Sequence, residues 1–101
     1  MKLNSKQRDF LRKEAHDLDP IVRIGKEGMS DNLVDSFLQA IESRELIKVK
    51  ILQNSEVDKK EVAFELAEKT GSELVGIIGK TLIFYKENKD NPVVSEVMRK
   101  I

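Results

Sequence analysis

The sequence contains no cysteine among its 101 residues, which excludes disulfide bonds and thiolate metal sites. Its single histidine, His16, cannot build an ordinary zinc site, and the nearby Asp17 and Asp19 add only weak ligands. No stretch approaches the roughly 20 apolar residues that a membrane-spanning helix needs. The N-terminal residues turn polar at once and lack the apolar run of a signal peptide. We therefore expect a cytoplasmic protein with no cofactor, no metal and no membrane contact.

An excess of either charge is also lacking, because 18 Lys and Arg residues balance 18 Asp and Glu residues. A neutral total lowers the non-specific attraction to a nucleic acid. The acidic residues of the middle third fall mostly within two predicted helices, which can turn them away from a partner. The neutral total is therefore compatible with a basic face, and binding should be modest and local.

Five glycines and two prolines separate the predicted elements, whose order is α-β-α-β-α-β-β. Helices are predicted after Asn4 or Ser5, after Ser30 and after Asp58, which forms a capping box with Glu61. Strands are predicted at 21–24, 46–52, 74–78 and 81–86, the last two joined by a Gly79-Lys80 hairpin turn. Residues 1–87 thus form one domain. The tail 88–101 is predicted to hold a short helix, with Asn91 as its cap and Pro92 first.

Two strand-helix-strand units and a hairpin predict an α/β fold of the two-layer α+β type with a mixed four-stranded sheet. In the second strand, Ile47, Val49 and Ile51 alternate with Lys48 and Lys50. The lysines suggest that one sheet face is open and that the helices pack mainly on the other. If the first two strands are neighbours, Arg23 joins Lys48 and Lys50 on the open face.

The loop Gly25-Lys26-Glu27-Gly28 is the clearest candidate site, because it joins a strand to a helix N-terminus. Glycines allow close approach, and the first helical amides with their dipole suit a phosphate. Lys26 adds positive charge, whereas Glu27 opposes it. The same GxxG pattern holds single-stranded nucleic acid in KH domains. Glycines at such a turn are also often no more than tight-turn residues, so the motif alone leaves both interpretations open.

Three longer segments resemble a known family. The stretch Ala15-His16-Asp17-Leu18-Asp19-Pro20-Ile21-Val22-Arg23-Ile24-Gly25-Lys26-Glu27-Gly28-Met29-Ser30 resembles the opening of a CRM domain. Leu46 to Lys50 and Gly76 to Lys86 resemble its later motifs, in the expected order and spacing over residues 3 to 87. Stand-alone bacterial proteins of this type form the YhbY family. The resemblance implies a fold like the C-terminal domain of translation initiation factor three. It also implies RNA binding and association with large-subunit ribosomal RNA or its precursor particle.

Further basic residues complete the predicted RNA-binding surface around the loop. They lie in the first helix, in the first two strands and at the hairpin, and comprise Arg8, Arg12, Lys13, Arg23, Lys48, Lys50 and Lys80. Each also has a plain interpretation as a solvated charge. Gly79-Lys80-Thr81 is not a P-loop, since the earlier glycine is missing and a strand follows.

Two alternatives to RNA binding stay open. One is an adaptor that docks a ribosomal or assembly protein through the open sheet face or through Val94, Val97, Met98 and Ile101 in the tail. The other is an enzyme, which we do not expect, since no nucleophile-base set, metal cluster or cofactor loop is present. We expect a monomer without a small-molecule substrate, and we expect His16 to end the first helix.

Overall fold

Four strands form a mixed sheet, with helices on both faces. This computed structural model describes residues 3–101. In chain order the elements are α1 (Ser5–His16), β1 (Val22–Ile24), α2 (Asp31–Arg44), β2 (Leu46–Ile51), α3 (Lys59–Thr70), β3 (Glu73–Ile78), β4 (Thr81–Tyr85) and α4 (Ser95–Met98). Across the sheet the strand order is β1-β2-β4-β3. The predicted element order and the mixed four-stranded sheet are confirmed.

The three long helices begin where side chains accept hydrogen bonds from first-turn amides. The Asn4 side chain accepts from the Gln7 amide at 2.8 Å, and the Gln7 side chain accepts from the Asn4 amide at 3.0 Å. Ser30 caps α2, and the Asp58 carboxylate accepts from two amides at the start of α3. These starts confirm the predictions. Within residues 3–101, however, the Asp58 amide does not donate back to Glu61, so that capping box is half formed.

The main core lies between one face of the sheet and the helices α2 and α3. Alternation along β2 points Ile47, Val49 and Ile51 into it. The rings of Phe37 on α2 and Phe84 on β4 meet edge to face, with centroids 4.9 Å apart. Such a contact adds to the burial of both rings. The core therefore fixes α2, and with it the loop that precedes this helix, against the sheet.

The second face is covered over much of its area, which corrects the expectation of an open face. Helices α1 and α4 pack on this face through a smaller core, which consists of Leu3, Leu11, Ala15, Leu46, Val75, Ile83, Tyr85 and Met98. The physical reason lies in β4, where Leu82 to Tyr85 is an unbroken apolar run that must be buried on both faces. Beyond these buried residues, the second face ends in the row Arg23, Lys50, Thr81 and Ile78, which are paired across the four strands.

The tail is held by a buried carboxylate, that of Glu45, at the end of α2. Its Oε1 accepts from the amides of Val93 at 2.6 Å and Ser95 at 3.0 Å. Its Oε2 accepts from the Asn88 amide at 2.7 Å and the Ser95 hydroxyl at 2.8 Å. Because these donors occupy the chain up to Ser95, the helix begins there. The predicted start at Asn91 and Pro92 is therefore wrong.

The four hydrogen bonds decide the ionisation of this carboxylate. Burial acts to raise the pKa of Glu45, but the donors from Asn88, Ser95 and Val93 outweigh burial and hold the pKa below its ordinary value. The Tyr85 hydroxyl lies buried in the same region. Burial, with the negative charges of Glu45 and Glu87, raises the pKa of Tyr85 to about 12. The pair therefore carries one negative charge at neutral pH, on Glu45.

Candidate nucleic-acid interface

Three turns meet at one end of the sheet, which we call the turn end. Strands β1 and β2 are parallel, so the turn Gly25–Gly28 after β1 and the turn Leu52–Ser55 after β2 lie side by side. Each is closed by a backbone hydrogen bond of 3.1 Å between its fourth and first residues. The β3–β4 hairpin turn, Gly79-Lys80, joins them, because the Lys80 carbonyl accepts from the Ile51 amide at 2.8 Å. The turn end is therefore one fixed surface.

The two glycines of the first turn have different roles. Gly28 has a φ of +64°, a conformation that residues with a Cβ rarely adopt, and an added Cβ would lie 3.0 Å from Val57 Cγ1. Gly25 has ordinary backbone geometry, and a Cβ there would lie 3.8 Å from Leu52 Cδ1, a normal contact. Gly28 therefore shapes the turn. At Gly25 no side chain rises between the first two turns, and we call this position the crossing point.

A groove on the α3 side of the first turn is strongly acidic. It has a volume of about 450 Å³, and its charged lining consists of Lys26 against Glu27, Glu56, Asp58, Glu61 and Glu65. Most of these carboxylates lie in α3 or in the segment just before it, where negative charge stabilises the N-terminal end of the helix. We call it the α3-side groove. Its carboxylates repel a polyanion, and Glu27 is one of them.

A second groove, the α2-side groove, runs between the edge strand β1 and the start of α2. It also measures about 450 Å³. Its charged residues are Arg23, Lys26 and Glu27, and its polar residues are Ser30, Asn32 and Ser36. Within residues 3–101, the outer edge of β1 has no partner strand. Hydroxyl and amide groups, an unpaired strand edge and two cations form a surface that can hold a phosphate backbone beside polar bases.

The structure brings together four of the predicted basic residues. Arg23 and Lys50 are direct partners on β1 and β2, and both are exposed. Lys80 lies in the hairpin turn beside Lys50, whose strand partner is Thr81. With Lys26 in the first turn, these residues surround the crossing point at Gly25. The predicted loop and the predicted strand lysines therefore belong to one surface, except for Lys48.

Lys48 and Arg8 are occupied elsewhere. The Lys48 ammonium donates to the carbonyls of His16 at 3.1 Å and Leu18 at 3.0 Å, so it satisfies the C-terminal end of α1. The Arg8 guanidinium donates to the Leu74 carbonyl of the edge strand β3 at 2.6 Å. Both contacts are structural, and neither residue belongs to the turn end. His16 does end α1, as its position predicts.

The other two predicted residues of α1 lie on the outside of this helix. Arg12 passes over Gly76 of β3, 3.6 Å from an added Cβ, and pairs with Asp9 at 3.6 Å. Lys13 is exposed in the last turn of α1, where a positive charge interacts favourably with the helix dipole. Arg12 flanks the exposed row of the second face. The structure therefore places Arg12 over β3 and Lys13 at the exposed end of α1, outside the grooves of the turn end.

The turn Leu52–Ser55, with Gln53 and Asn54 exposed at its centre, is a part of the surface that the sequence does not predict. A polar run of Gln53, Asn54 and Ser55 between a strand and a helix is itself a turn signal. Nothing in that signal shows that the turn lies against Gly25. This contact follows from the parallel pairing of β1 and β2, which brings residues distant in the chain to one edge.

The tail also differs from the adaptor hypothesis. Val94 and Met98 pack into the smaller core, whereas Val97 and Ile101 are exposed. Half of the proposed docking residues are therefore used for folding. Within residues 3–101, no helix is long and apolar enough to cross a bilayer, and no three His, Asp or Glu side chains converge as metal ligands.

The turn end presents turn amides, cations and a helix N-terminus on one rigid surface, an arrangement that suits a polyanion. Comparisons with known proteins identify the family to which the chain belongs. The family model described as "CRS1 / YhbY (CRM) domain" matches residues 3–86. The chain therefore belongs to the CRS1/YhbY (CRM) domain family, as its motifs predict.

Several relatives are similar over most of their length. The chain is 49% identical over 89 residues to "Probable RNA-binding protein YqeI" of Bacillus subtilis, covering 88% of this chain and 93% of the relative. It is 30% identical over 88 residues to "RNA-binding protein" of Haemophilus influenzae, covering 87% and 89%. The solution structure of SAV1595 from Staphylococcus aureus, a candidate RNA-binding protein, superimposes with a TM-score of 0.73 at 46% identity, covering 91% and 99%.

Proposed function

We propose that this protein binds RNA through the turn end, without catalysis. The observation that supports this most is the separation of charge around the first turn. Lys26 and Glu27 line both grooves beside this turn. The other acidic residues, Glu56, Asp58, Glu61 and Glu65, line the α3-side groove, whereas Arg23 lines the α2-side groove and Lys50 and Lys80 lie beside the second turn. This separation accounts for RNA binding by a chain of zero net charge. The names of the two bacterial relatives point the same way.

In this proposal the RNA backbone crosses the sheet end at Gly25. Phosphates lie against Lys26 and the first amides of α2, with Arg23, Lys50 and Lys80 beside them. The α3-side groove sets the direction, because its carboxylates repel a strand that turns towards α3. Arg12 is an outer contact, while Arg8, Lys13 and Lys48 contribute to folding or solubility. The GxxG loop is then one part of a wider surface.

The test is a charge series measured by RNA binding at several salt concentrations. We expect Lys26→Ala, Lys50→Ala and Lys80→Ala each to lower affinity and to reduce the log–log salt slope by roughly 0.7, the value for one phosphate on a single strand. The wild-type slope should be roughly −2 to −3 for three or four phosphates. Lys69→Ala, at the exposed C-terminal end of α3, is the matched control. Unchanged affinity in a folded triple variant would remove the turn end from the mechanism.

The RNA partner that we propose is large-subunit ribosomal RNA, or its precursor particle during ribosome assembly, met by a monomer in the cytoplasm. The family resemblance supports this, and the lack of cysteine fits a reducing compartment. Cross-linking in cells, followed by sequencing of the attached RNA, should recover one region of large-subunit ribosomal RNA. Recovery of unrelated messenger RNAs alone would contradict it. A partner protein retained after nuclease treatment would favour the adaptor alternative.

A further inference from the structure

The turn Leu52–Ser55 forms one wall of a third groove at the turn end, which we call the β2-side groove. Its volume is about 530 Å³, and its lining consists of Lys50, Ile51, Leu52, Gln53, Asn54 and Lys80. This volume lies within the range of small-molecule sites, roughly 300–1,000 Å³. Unlike the other two grooves at the turn end, it has no carboxylate in its lining.

The chemistry of the β2-side groove differs from that of a plain phosphate site. Leu52 and the aliphatic stems of Lys50 and Lys80 provide apolar walls. Gln53 and Asn54 each add an amide, which offers a hydrogen-bond donor and an acceptor together. A phosphate has only acceptors and needs no apolar wall. A nucleobase needs both features, because its faces are apolar and its edge carries donors and acceptors.

The walls of this groove are held by the backbone. The Leu52 amide donates to the Ile24 carbonyl at 2.8 Å, and the Ile51 amide donates to the Lys80 carbonyl at 2.8 Å. The Lys59 ammonium, at the start of α3, donates to the Gly79 carbonyl of the hairpin at 3.2 Å. Both turns are therefore in place before a ligand arrives, so binding costs little loop ordering.

The β2-side groove is also continuous with the first turn. Leu52 and Asn54, which line it, are the residues nearest to Gly25, at 3.8 and 3.9 Å from an added Cβ. A strand held at Lys26 thus reaches the β2-side groove by crossing Gly25. We infer that this groove binds one unpaired RNA base, whose edge contacts Gln53 and Asn54, while Lys50 and Lys80 bind the flanking phosphates.

This inference rests on the proposed RNA binding and adds base selection to it. The base must be unpaired, since the deep major groove of an RNA duplex keeps base edges out of reach. The measurement is the affinity of the full chain for short single-stranded homopolymers of A, C and U and for a blunt RNA duplex. We expect the wild type to prefer one homopolymer over the others and any homopolymer over the duplex.

The decisive variant is Gln53→Ala combined with Asn54→Ala. It should reduce the preference between the best and worst homopolymer by roughly tenfold, the scale of one well-placed amide–base contact. Lys80→Ala should weaken all homopolymers by a similar factor and leave the preference intact. Gln39→Ala is the matched amide control, since Gln39 is exposed in the later half of α2, away from the turn end. A thermal melt of each variant verifies folding.

The outcomes separate this inference from the proposed function. A wild type that binds no RNA removes both. A wild type that binds every homopolymer equally, or an unchanged preference in the folded double variant, overturns base binding in the β2-side groove and leaves RNA binding at the turn end intact. A preference lost only with Gln53 and Asn54 supports the inference.

Discussion

Replacement of Glu45 by glutamine should loosen the C-terminal tail, because it keeps the shape of the side chain but removes one acceptor oxygen. In the native protein each carboxylate oxygen accepts two hydrogen bonds. The new amide group fits best at the Oε2 position, where the Ser95 hydroxyl can turn round and accept from it. The Asn88 amide then faces another N–H and loses its partner.

The expected cost follows from these contacts. One buried amide without a partner costs about 1–3 kcal/mol. Loss of the charge weakens the remaining hydrogen bonds by about 1 kcal/mol in total, since bonds to charged groups are the stronger ones. We therefore expect Glu45→Gln to lower the free energy of unfolding by about 2–4 kcal/mol. Alternatively, the tail detaches and its amides hydrogen-bond to water. The substitution then appears as faster local opening of the tail.

Urea unfolding and amide hydrogen exchange distinguish these two cases. The amides of Val93 and Ser95, which donate to Glu45, should exchange faster in the variant than in the wild type. Glu42→Gln is the matched control, because Glu42 is exposed on the same helix and its change should stay within about 0.5 kcal/mol. If Glu45→Gln left both the stability and the exchange at Val93 and Ser95 unchanged, the assigned role of the carboxylate would be refuted.

Four further predictions concern pH, turn geometry and the two strand lysines. Since the folded pKa of Glu45 lies below its ordinary value of 4.5, the stabilisation that Glu45 provides is present above pH 4.5 and is lost as pH falls through the folded pKa. Hydrogen exchange of the tail amides should accelerate over that pH range in the wild type but not in Glu45→Gln. Tyr85, the single tyrosine, should ionise near pH 12 in an ultraviolet titration, and its contribution to stability, full below pH 10, should disappear as pH rises through 12; a midpoint at 10 in the folded state would contradict its burial. Gly28→Ala should cost about 1–2 kcal/mol in urea unfolding, whereas Gly25→Ala should change stability by less than about 0.5 kcal/mol. Lys48→Ala should destabilise the fold with little effect on RNA affinity and Lys50→Ala should do the reverse, so equal effects on both measurements would contradict the division.

Much of the fold could be predicted because local signals and global packing agree. Asn4, Ser30 and Asp58 cap helices from short-range contacts that a sequence displays directly. The covered second face had a signal as well, the unbroken apolar run of β4, but this run gives no indication of which helix covers it. The assignment of α1 to that face depends on contacts between distant parts of the chain.

The candidate site was predictable in part, for the same reason. The first turn stands out by its two glycines, and Lys50 and Lys80 by their positions. Lys48 and Lys50 look equivalent in an alternating strand, and only the position of the end of α1 separates them. Glu45 is even less visible, since nothing near it in the sequence announces donors from the tail more than 40 residues later.

The buried carboxylate of Glu45 also divides the molecule into two energetically separate ends. Glu45 precedes β2 and the turn end follows it, so the six residues of this strand place them roughly 20 Å apart. Changes at sites more than about 10 Å apart that share no partner usually add. The double variant Glu45→Gln with Lys50→Ala should therefore show the stability loss of the first substitution and the affinity loss of the second, each unchanged by the other. Substitutions can accumulate at the turn end and alter its ligand preference while the opposite end continues to hold the chain together.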